Sequence, residues 1–204
     1  MSDLRARYTV FIVDDDLSVR DSLSLILSLK GFRNATFACA EDFVRALQPD
    51  WSGCAVVDLK MPGMNGLELQ QMLASREPPL PVVIISAHGD VASSRLAFKA
   101  DAVDFLEKPF DDEQIVQAIE LAMKRLHDRE SDLEARQRRE AGLAMLSTRE
   151  REVMQLLGEG LQNRTVAERL GLSPRTVEVH KARILAKLGI RNVAELVRLV
   201  DAVD

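Results

Sequence analysis

Through the first 124 residues, short apolar runs alternate with stretches in which apolar side chains recur every three or four positions. The runs are YTVFIV (8–13), ATFA (35–38), CAVVDL (54–59), PVVIISA (81–87) and AVDFLE (102–107), and each reads as a strand. Between them Val19, Leu23, Ile26 and Leu27 keep helical spacing, as do Phe43, Ala46 and Leu47. The same holds for Leu67, Leu69, Met72 and Leu73, for residues 92–99, and for Ile115, Ile119 and Ala122. The strands are continuously apolar rather than alternating, so both faces must be covered, as in a parallel sheet flanked by helices. The strand–helix units predict a doubly wound α/β domain, flavodoxin-like, with a five-stranded parallel sheet.

Beyond residue 112 the pattern is helical only. The segment KRLHDRESDLEARQRRE (124–140) is almost wholly polar. Ile119, Leu126 and Leu133 recur every seven residues, but Met123, Glu130 and Gln137 fill the alternate seam, so the heptad is half apolar. A solvated helical linker over 125–142 is the plainer reading, and a coiled-coil dimer seam is the other. Further on, STRE (147–150) is a capping box, with Ser147 as N-cap and Glu150 three residues later. Asn163 is expected to cap the next helix. In LGLSP (170–174) a glycine turn is followed by Ser173 as N-cap and Pro174 at the first helical position. A last helix is expected at about 192–202. Residues 143–204 thus predict an all-α domain of four helices, whose middle pair forms a helix-turn-helix unit. The expected division is 1–124, linker 125–142, and 143–204.

Composition narrows the picture. At 204 residues with 47% hydrophobic side chains, the chain can fill two cores. The net charge of -5 conceals an asymmetry, with -7 over 1–124, zero over 125–142 and +2 over 143–204. The two ends should therefore meet different partners. Cys39 and Cys54 lie in apolar contexts with no metal-binding spacing, and read as reduced thiols. No apolar run reaches the roughly 18 residues of a membrane span, and the N-terminus lacks a secretory pattern. The expectation is a cytoplasmic protein with no membrane partner.

Candidate chemistry gathers at the carboxyl ends of the predicted strands, where open α/β sheets bind ligands. Asp14 and Asp15 close the first, Asp58 the third, Ser86 the fourth and Lys108 the fifth. Clustered carboxylates repel one another, so a cation belongs among them. Oxygen-only donors select a hard ion of the Mg²⁺ kind. A hydroxyl and an ammonium opposite suit phosphoryl oxygens. Asp16 reads as the cap of the first helix.

The motifs VDDD, VVDLKMPGMNG, IISAHGD and DFLEKPF, in this order and spacing, resemble the receiver domain of two-component response regulators over about residues 8–124. The resemblance implies that Asp58 is the phosphoacceptor of a sensor histidine kinase. It implies Mg²⁺ (or Mn²⁺) held by Asp14, Asp15, Asp58 and the Lys60 carbonyl. Ser86 and Lys108 would grip the phosphoryl group, and Phe105 would be an aromatic switch. His88, in SAHGD, resembles the FixJ-like subgroup and is read as a loop histidine. Asp101 stands where receivers often carry glycine, and Asp tolerates a left-handed backbone better than most residues.

The segment LSTREREVMQLLGEGLQNRTVAERLGLSPRTVEVHKARILAKLGIRNVAELVRLV resembles the LuxR/NarL-type helix-turn-helix domain. Val177, Ile184, Leu185 and Leu188 face its core. The resemblance makes 174–188 the recognition helix, with Glu178, Val179 and Ala182 toward base edges in the major groove. Thr176, Lys181, Arg183, Lys187 and Arg191, with Asn163 and Arg164 one helix earlier, read as phosphate contacts. His180 reads as a packing or phosphate residue. The apolar stripe of AELVRLVDAV is a candidate homodimer surface.

Together these features point to a FixJ-type response regulator whose phosphorylation at Asp58 controls binding to double-stranded DNA and transcription. A sensor kinase, RNA polymerase and a phosphorylation-promoted second copy are its expected partners. It should not be an enzyme beyond taking and losing its own phosphoryl group. A phosphorylation-independent DNA-binding regulator, using the receiver fold for dimerisation, is the alternative. A phosphatase with an aspartyl nucleophile fits less well, because that chemistry wants a carboxylate two residues further on, where Lys60 stands.

Overall fold

The structure, a computed structural model, describes residues 2–87 and 91–201. It divides into two compact units at Arg129/Glu130. In the first, strands β1 (Thr9–Val13), β2 (Arg33–Phe37), β3 (Gly53–Asp58), β4 (Val82–Ser86) and β5 (Asp104–Glu107) form one parallel sheet in the order β2-β1-β3-β4-β5. This order is that of a flavodoxin-like, doubly wound sheet, the architecture expected from the sequence.

The pleat sends successive side chains to opposite faces. Val10, Ile12, Cys54, Val56, Val83 and Ile85 meet Leu23 and Leu27 of α2 (Leu17–Leu29) and Ile115 and Ile119 of α6 (Asp112–Ala144). The residues between them, Phe11, Val13, Ala55, Val57, Val82 and Ile84, pack on the other face. Their partners there are Phe43 of α3 (Ala40–Ala46), Leu69 and Leu73 of α4 (Gly66–Ala74), and Ala97 of α5 (Val91–Lys99). At about 25 cal/mol per Å² of apolar area, these two layers dominate the stability of the unit.

Local signals place the ends of the elements. The Asp16 side chain accepts from Ser18 N and caps α2, as expected. Asp101 adopts a φ of 65° after α5, the left-handed turn for which its side chain is suited. A short helix α1 (Ser2–Arg7) precedes β1 without any forewarning in the pattern. It is held by an ion pair between Arg5 and Glu120 and by the Arg5 guanidinium, 4.7 Å from the Phe32 ring centre.

Helix α6 runs unbroken for 33 residues, so the polar stretch is helical. Along it Ile119 and Leu126 are buried while Leu133 is half exposed. The second unit gathers α7 (Thr148–Gly158), α8 (Asn163–Leu170), α9 (Pro174–Leu188) and α10 (Val193–Asp201) around Val153, Leu157, Val166, Val177, Ile184, Leu188 and Leu196. Leu185, expected in this core, is only half buried. The Ser147–Glu150 capping box opens α7, and Ser173 with Pro174 opens α9. The expected Asn163 cap is corrected: Gln162 is the N-cap, without a side-chain bond, and Asn163 is already helical.

Candidate functional site

Parallel pairing brings the carboxyl ends of β1, β3, β4 and β5 to one edge of the sheet. The backbone there is stitched by Leu59 N donating to Ile85 O at 2.8 Å and Lys108 N donating to Ser86 O at 2.7 Å. Asp14 and Asp58 project from this edge nearly sealed from solvent, 1% and 6% exposed, and Ser86 is equally buried. Lys108 Nζ bridges the two carboxylates, donating to Asp14 Oδ2 at 2.7 Å and to Asp58 Oδ1 at 2.6 Å. The other oxygens take backbone N–H groups: Asp14 Oδ1 from Asp16 at 2.8 Å, and Asp58 Oδ2 from Lys60 at 2.7 Å. Asp15 and the Lys60 side chain are exposed, and Phe105 is half buried against the α3–α5 face.

The electrostatics follow from burial. Desolvation pushes the Asp14 carboxyl above its ordinary value, against the pull of Lys108 and the Asp16 N–H. For Lys108, burial acts downward, but hydrogen bonds to Asp14 and Asp58 outweigh it and leave the ammonium more basic than usual. Three carboxylates against one ammonium leave the edge negative, and all their donors are oxygen. In kind and charge this set fits a hard divalent cation. Among the described residues no three carboxylate, histidine or cysteine side chains converge on one point, and Lys108 stands between the two buried acids.

Residues beyond the named carboxylates, hydroxyl and lysine hold this edge in place. Arg20 donates to the Asp14 carbonyl at 2.7 Å. Glu41, in the first turn of α3, accepts from Met64 N at 2.8 Å and so ties down the loop after Asp58, a bond that holds its carboxyl below the usual range. Asn65 and Glu68 form a capping box at the start of α4. That pair is legible as an N-x-x-E signature. Gly66, where α4 begins, backs directly onto the Asp58 carbonyl and has no room for a Cβ. His88 lies outside the described residues, as do 202–204 at the end of the apolar stripe.

In the second unit, Glu178, Val179, Ala182 and Arg183 lie exposed on α9. Thr176 and Lys181 are half buried, and the Thr176 hydroxyl is 2.8 Å from that of Ser173. Arg164 is exposed beside Glu168, at 3.4 Å, Arg191 is exposed, and Asn163 is half buried. His180 is half buried with Nδ1 sealed and unbonded. Lys187 is engaged within the unit. Its Nζ donates to Glu150 Oε2 at 2.7 Å and to the Met145 carbonyl at 3.1 Å, so this cation is an internal tie. The exposed and half-buried polar side chains that remain along α9 are suited to a groove.

Comparison with known proteins agrees with both halves. Residues 10–120 match the response regulator receiver domain, and residues 144–200 match the luxR family of bacterial regulatory proteins. The transcriptional regulatory protein FixJ of Rhizobium meliloti is 44% identical over 96% of each chain. That of Bradyrhizobium diazoefficiens is 40% identical over 93% of each. Among solved structures, the response regulator StyR is 41% identical with a TM-score of 0.75, covering 95% of this chain and 98% of that one. Full-length FixJ from B. japonicum is 40% identical with a TM-score of 0.61, covering 95% of each. A receiver fold ending in a lysine-bridged carboxylate pair, joined to a LuxR-type helix-turn-helix, thus places the chain among the FixJ-type response regulators, which regulate transcription under the control of phosphorylation.

Proposed function

We propose that Asp58 is the residue that takes the phosphoryl group. The observation that carries this reading is the Lys108 ammonium bridging Asp14 and Asp58 at the edge where four strands end. Regulators of this type work with sensor kinases and DNA, and their receivers accept a phosphoryl group. An Asp58 oxygen forms the new O–P bond as the donor's N–P bond breaks, and the histidine nitrogen keeps the electron pair. Lys108, already on Asp58 Oδ1, neutralises charge on the transferring oxygens, and its fixed position is the main catalytic contribution of the chain.

Receiver domains bind Mg²⁺ at their acidic site. Here Asp14, Asp15, Asp58 and the Lys60 carbonyl would hold it. The bound ion supplies further neutralisation of phosphoryl charge. Phosphorylation adds roughly -1.5 to -2 charge at the sheet edge. Ser86 then turns to the new oxygens and Phe105 fills the vacated space, biasing the surface of α5 and β5. That bias controls pairing with a second copy, DNA binding through α9 and contact with RNA polymerase, in the cytoplasm. Glu178, Val179 and Ala182 meet base edges. Thr176, Lys181, Arg183, Arg191, Asn163 and Arg164 meet phosphates.

Treatment with a small phosphodonor and Mg²⁺, followed by intact mass, tests the reading. The wild type gains the mass of one phosphoryl group, and Asp58→Asn does not. DNA affinity measured alongside should change on phosphorylation in the wild type only. Equal affinity with and without the donor would instead favour a phosphorylation-independent regulator.

A further inference from the structure

The second compact unit begins at Glu130, so residues 130–144 of α6 belong with α7–α10 rather than to a free linker. What fastens this polar segment is concentrated at its end. Leu143 packs against the core of the unit, and Leu146, just past the helix, is buried in it. At Gly142 the helix meets α9 backbone to backbone. Gly142 is buried and backs onto the Lys187 carbonyl and the Leu188 Cα, with no room for a Cβ. Only a residue without a side chain permits that approach.

One turn earlier on the same face, the stem of Arg138 lies over Gly189, its Cδ 3.3 Å from where a Cβ there would stand. Gly189 is the left-handed C-cap of α9. Just beyond Gly142, the Met145 carbonyl accepts from Lys187 Nζ at 3.1 Å. Positions 138, 142 and 145 thus all bear on the last turn of α9 and its cap. A recognition helix enters the major groove by its N-terminal half, so this grip leaves Glu178 and Val179 clear. Helix α9 has 15 residues. That is a rod about 22 Å long, so a tilt of about 5° at the held end moves the other end by about 2 Å. Hydrogen bonds to base edges do not survive such a displacement.

We propose that the end of α6 is a fifth helix of the DNA-binding unit, and that Gly142, with Arg138, positions the recognition helix for sequence-specific binding. Val177, Ile184 and Leu188 hold α9 from beneath. The end of α6 fixes its angle, by backbone contact at Gly142 and by the Arg138 stem at the cap. Neither residue has to touch DNA. The proposal rests on the reading of α9 as the helix that enters the groove, and it is independent of the phosphoryl-accepting edge.

The test measures the affinity of the full chain for two duplexes of equal length, one selected from a random pool by the wild type and one unselected. Their ratio reports sequence-specific binding. Non-specific binding is carried by charge, and partial unfolding lowers both affinities alike, so a merely structural role leaves the ratio unmoved. Gly142→Ala should lower the ratio about tenfold, about the worth of one base contact, with non-specific affinity and phosphoryl uptake unchanged. Arg138→Ala should lower it about threefold, and Arg138→Met, which keeps the stem without the charge, should restore it. Arg136→Gln, at an exposed position paired with Glu140, should keep the wild-type ratio. Glu178→Ala combined with Val179→Ala tests the reading of α9 and should lower the ratio in its own right. If that double variant and Gly142→Ala both leave the ratio unchanged, α9 is not the reading helix and the proposal falls with it. If the double variant lowers the ratio and Gly142→Ala does not, the reading of α9 stands and the proposal alone is overturned. Should Gly142→Ala fail to fold, the Arg138 variants decide: loss in Arg138→Ala but not in Arg138→Met supports the proposal, and equal ratios in the two overturn it.

Discussion

Each unit of this protein contains a buried carboxylate held by a lysine, and the two pairs behave in opposite ways. In the first unit, one ammonium serves both Asp14 and Asp58. The Asp14 carboxyl is pushed up by burial because that share is not enough. In the second, Lys187 serves Glu150 alone, and Glu150 Oε2 also takes the Ser147 N–H at 2.8 Å. There the carboxyl is pulled down to about 2, first by Lys187 and then by Ser147. The geometry of contact is the same, with distances of 2.6–2.7 Å in both. What differs is stoichiometry. A satisfied carboxylate is a fastening, and one left short of positive charge is poised to receive more.

The sharpest way to break this comparison is to remove each lysine. Lys108→Met should lower phosphoryl uptake by about 100-fold, on the scale of losing one fixed electrostatic donor, while the fold is kept at room temperature. Lys187→Met should do the reverse, unfolding the second unit at lower temperature and leaving phosphoryl uptake unchanged. Quantifying the phosphorylated form by intact mass over time, with thermal unfolding alongside, reads both. If Lys187→Met lowered DNA affinity without touching stability, its role as an internal tie would be wrong.

A glycine backs each pair, and substitutions there probe the backbone rather than the charge. Gly66 has no space for a Cβ against the Asp58 carbonyl, and Gly142 has none against the Lys187 carbonyl. Gly66→Ala and Gly142→Ala should each cost about 1–3 kcal/mol, the scale of overpacking. Chemical denaturation checks the size, and the first should also slow phosphoryl uptake by shifting Asp58.

Acid separates the units by sign. Glu150 has an ordinary value of 4.5 and is held at about 2 in the fold. Its stabilising contribution is full above pH 4.5 and is lost as the pH falls from there toward 2. Asp14 is raised above its ordinary 3.8, so folding favours its protonated form. The burden of its charge is present above its folded pKa and is relieved as the pH falls through it. Amide exchange resolved by residue should therefore show the second unit losing protection below pH 4.5, with Glu150→Gln flattening that fall. Asp14→Asn should raise the stability of the first unit at neutral pH and remove its gain on acidification. The opposite order would sink the contrast.

Much of this is legible in the amino-acid sequence. The strand ends, the motif order and the caps at Asp16, Ser147 and Ser173 all rest on local signals, and local signals survive in a sequence. What stays hidden depends on distant residues. Helix α1 is held by Glu120 and Phe32, far along the chain, so no pattern within its six residues announces it. Glu41 reaches a loop 23 residues away. Lys187 reads the same whether it faces a phosphate or Glu150, because spacing reports which side of a helix a residue is on and not what stands opposite. The acidic edge shows its members in the sequence, but the sharing of one ammonium between two carboxylates is a fact of three dimensions.

The smallest effect tests whether Lys187 or the helix cap is the main fastening of Glu150. Ser147→Ala removes the hydroxyl that accepts from Glu150 N at 3.2 Å, while the Ser147 N–H still donates to the Glu150 carboxylate. An N-cap of this kind contributes about 1 kcal/mol. In a unit of this size that lowers the Tm by about 4–8 °C. Glu150 should keep its depressed pKa, because Lys187 is the largest cause and the Ser147 hydroxyl only a minor one. Lys187→Met should therefore lower the Tm by more than Ser147→Ala and return Glu150 toward 4.5. Were the two variants equal in Tm, the capping box rather than the lysine would be what holds the carboxylate, and the parallel with Lys108 would fall.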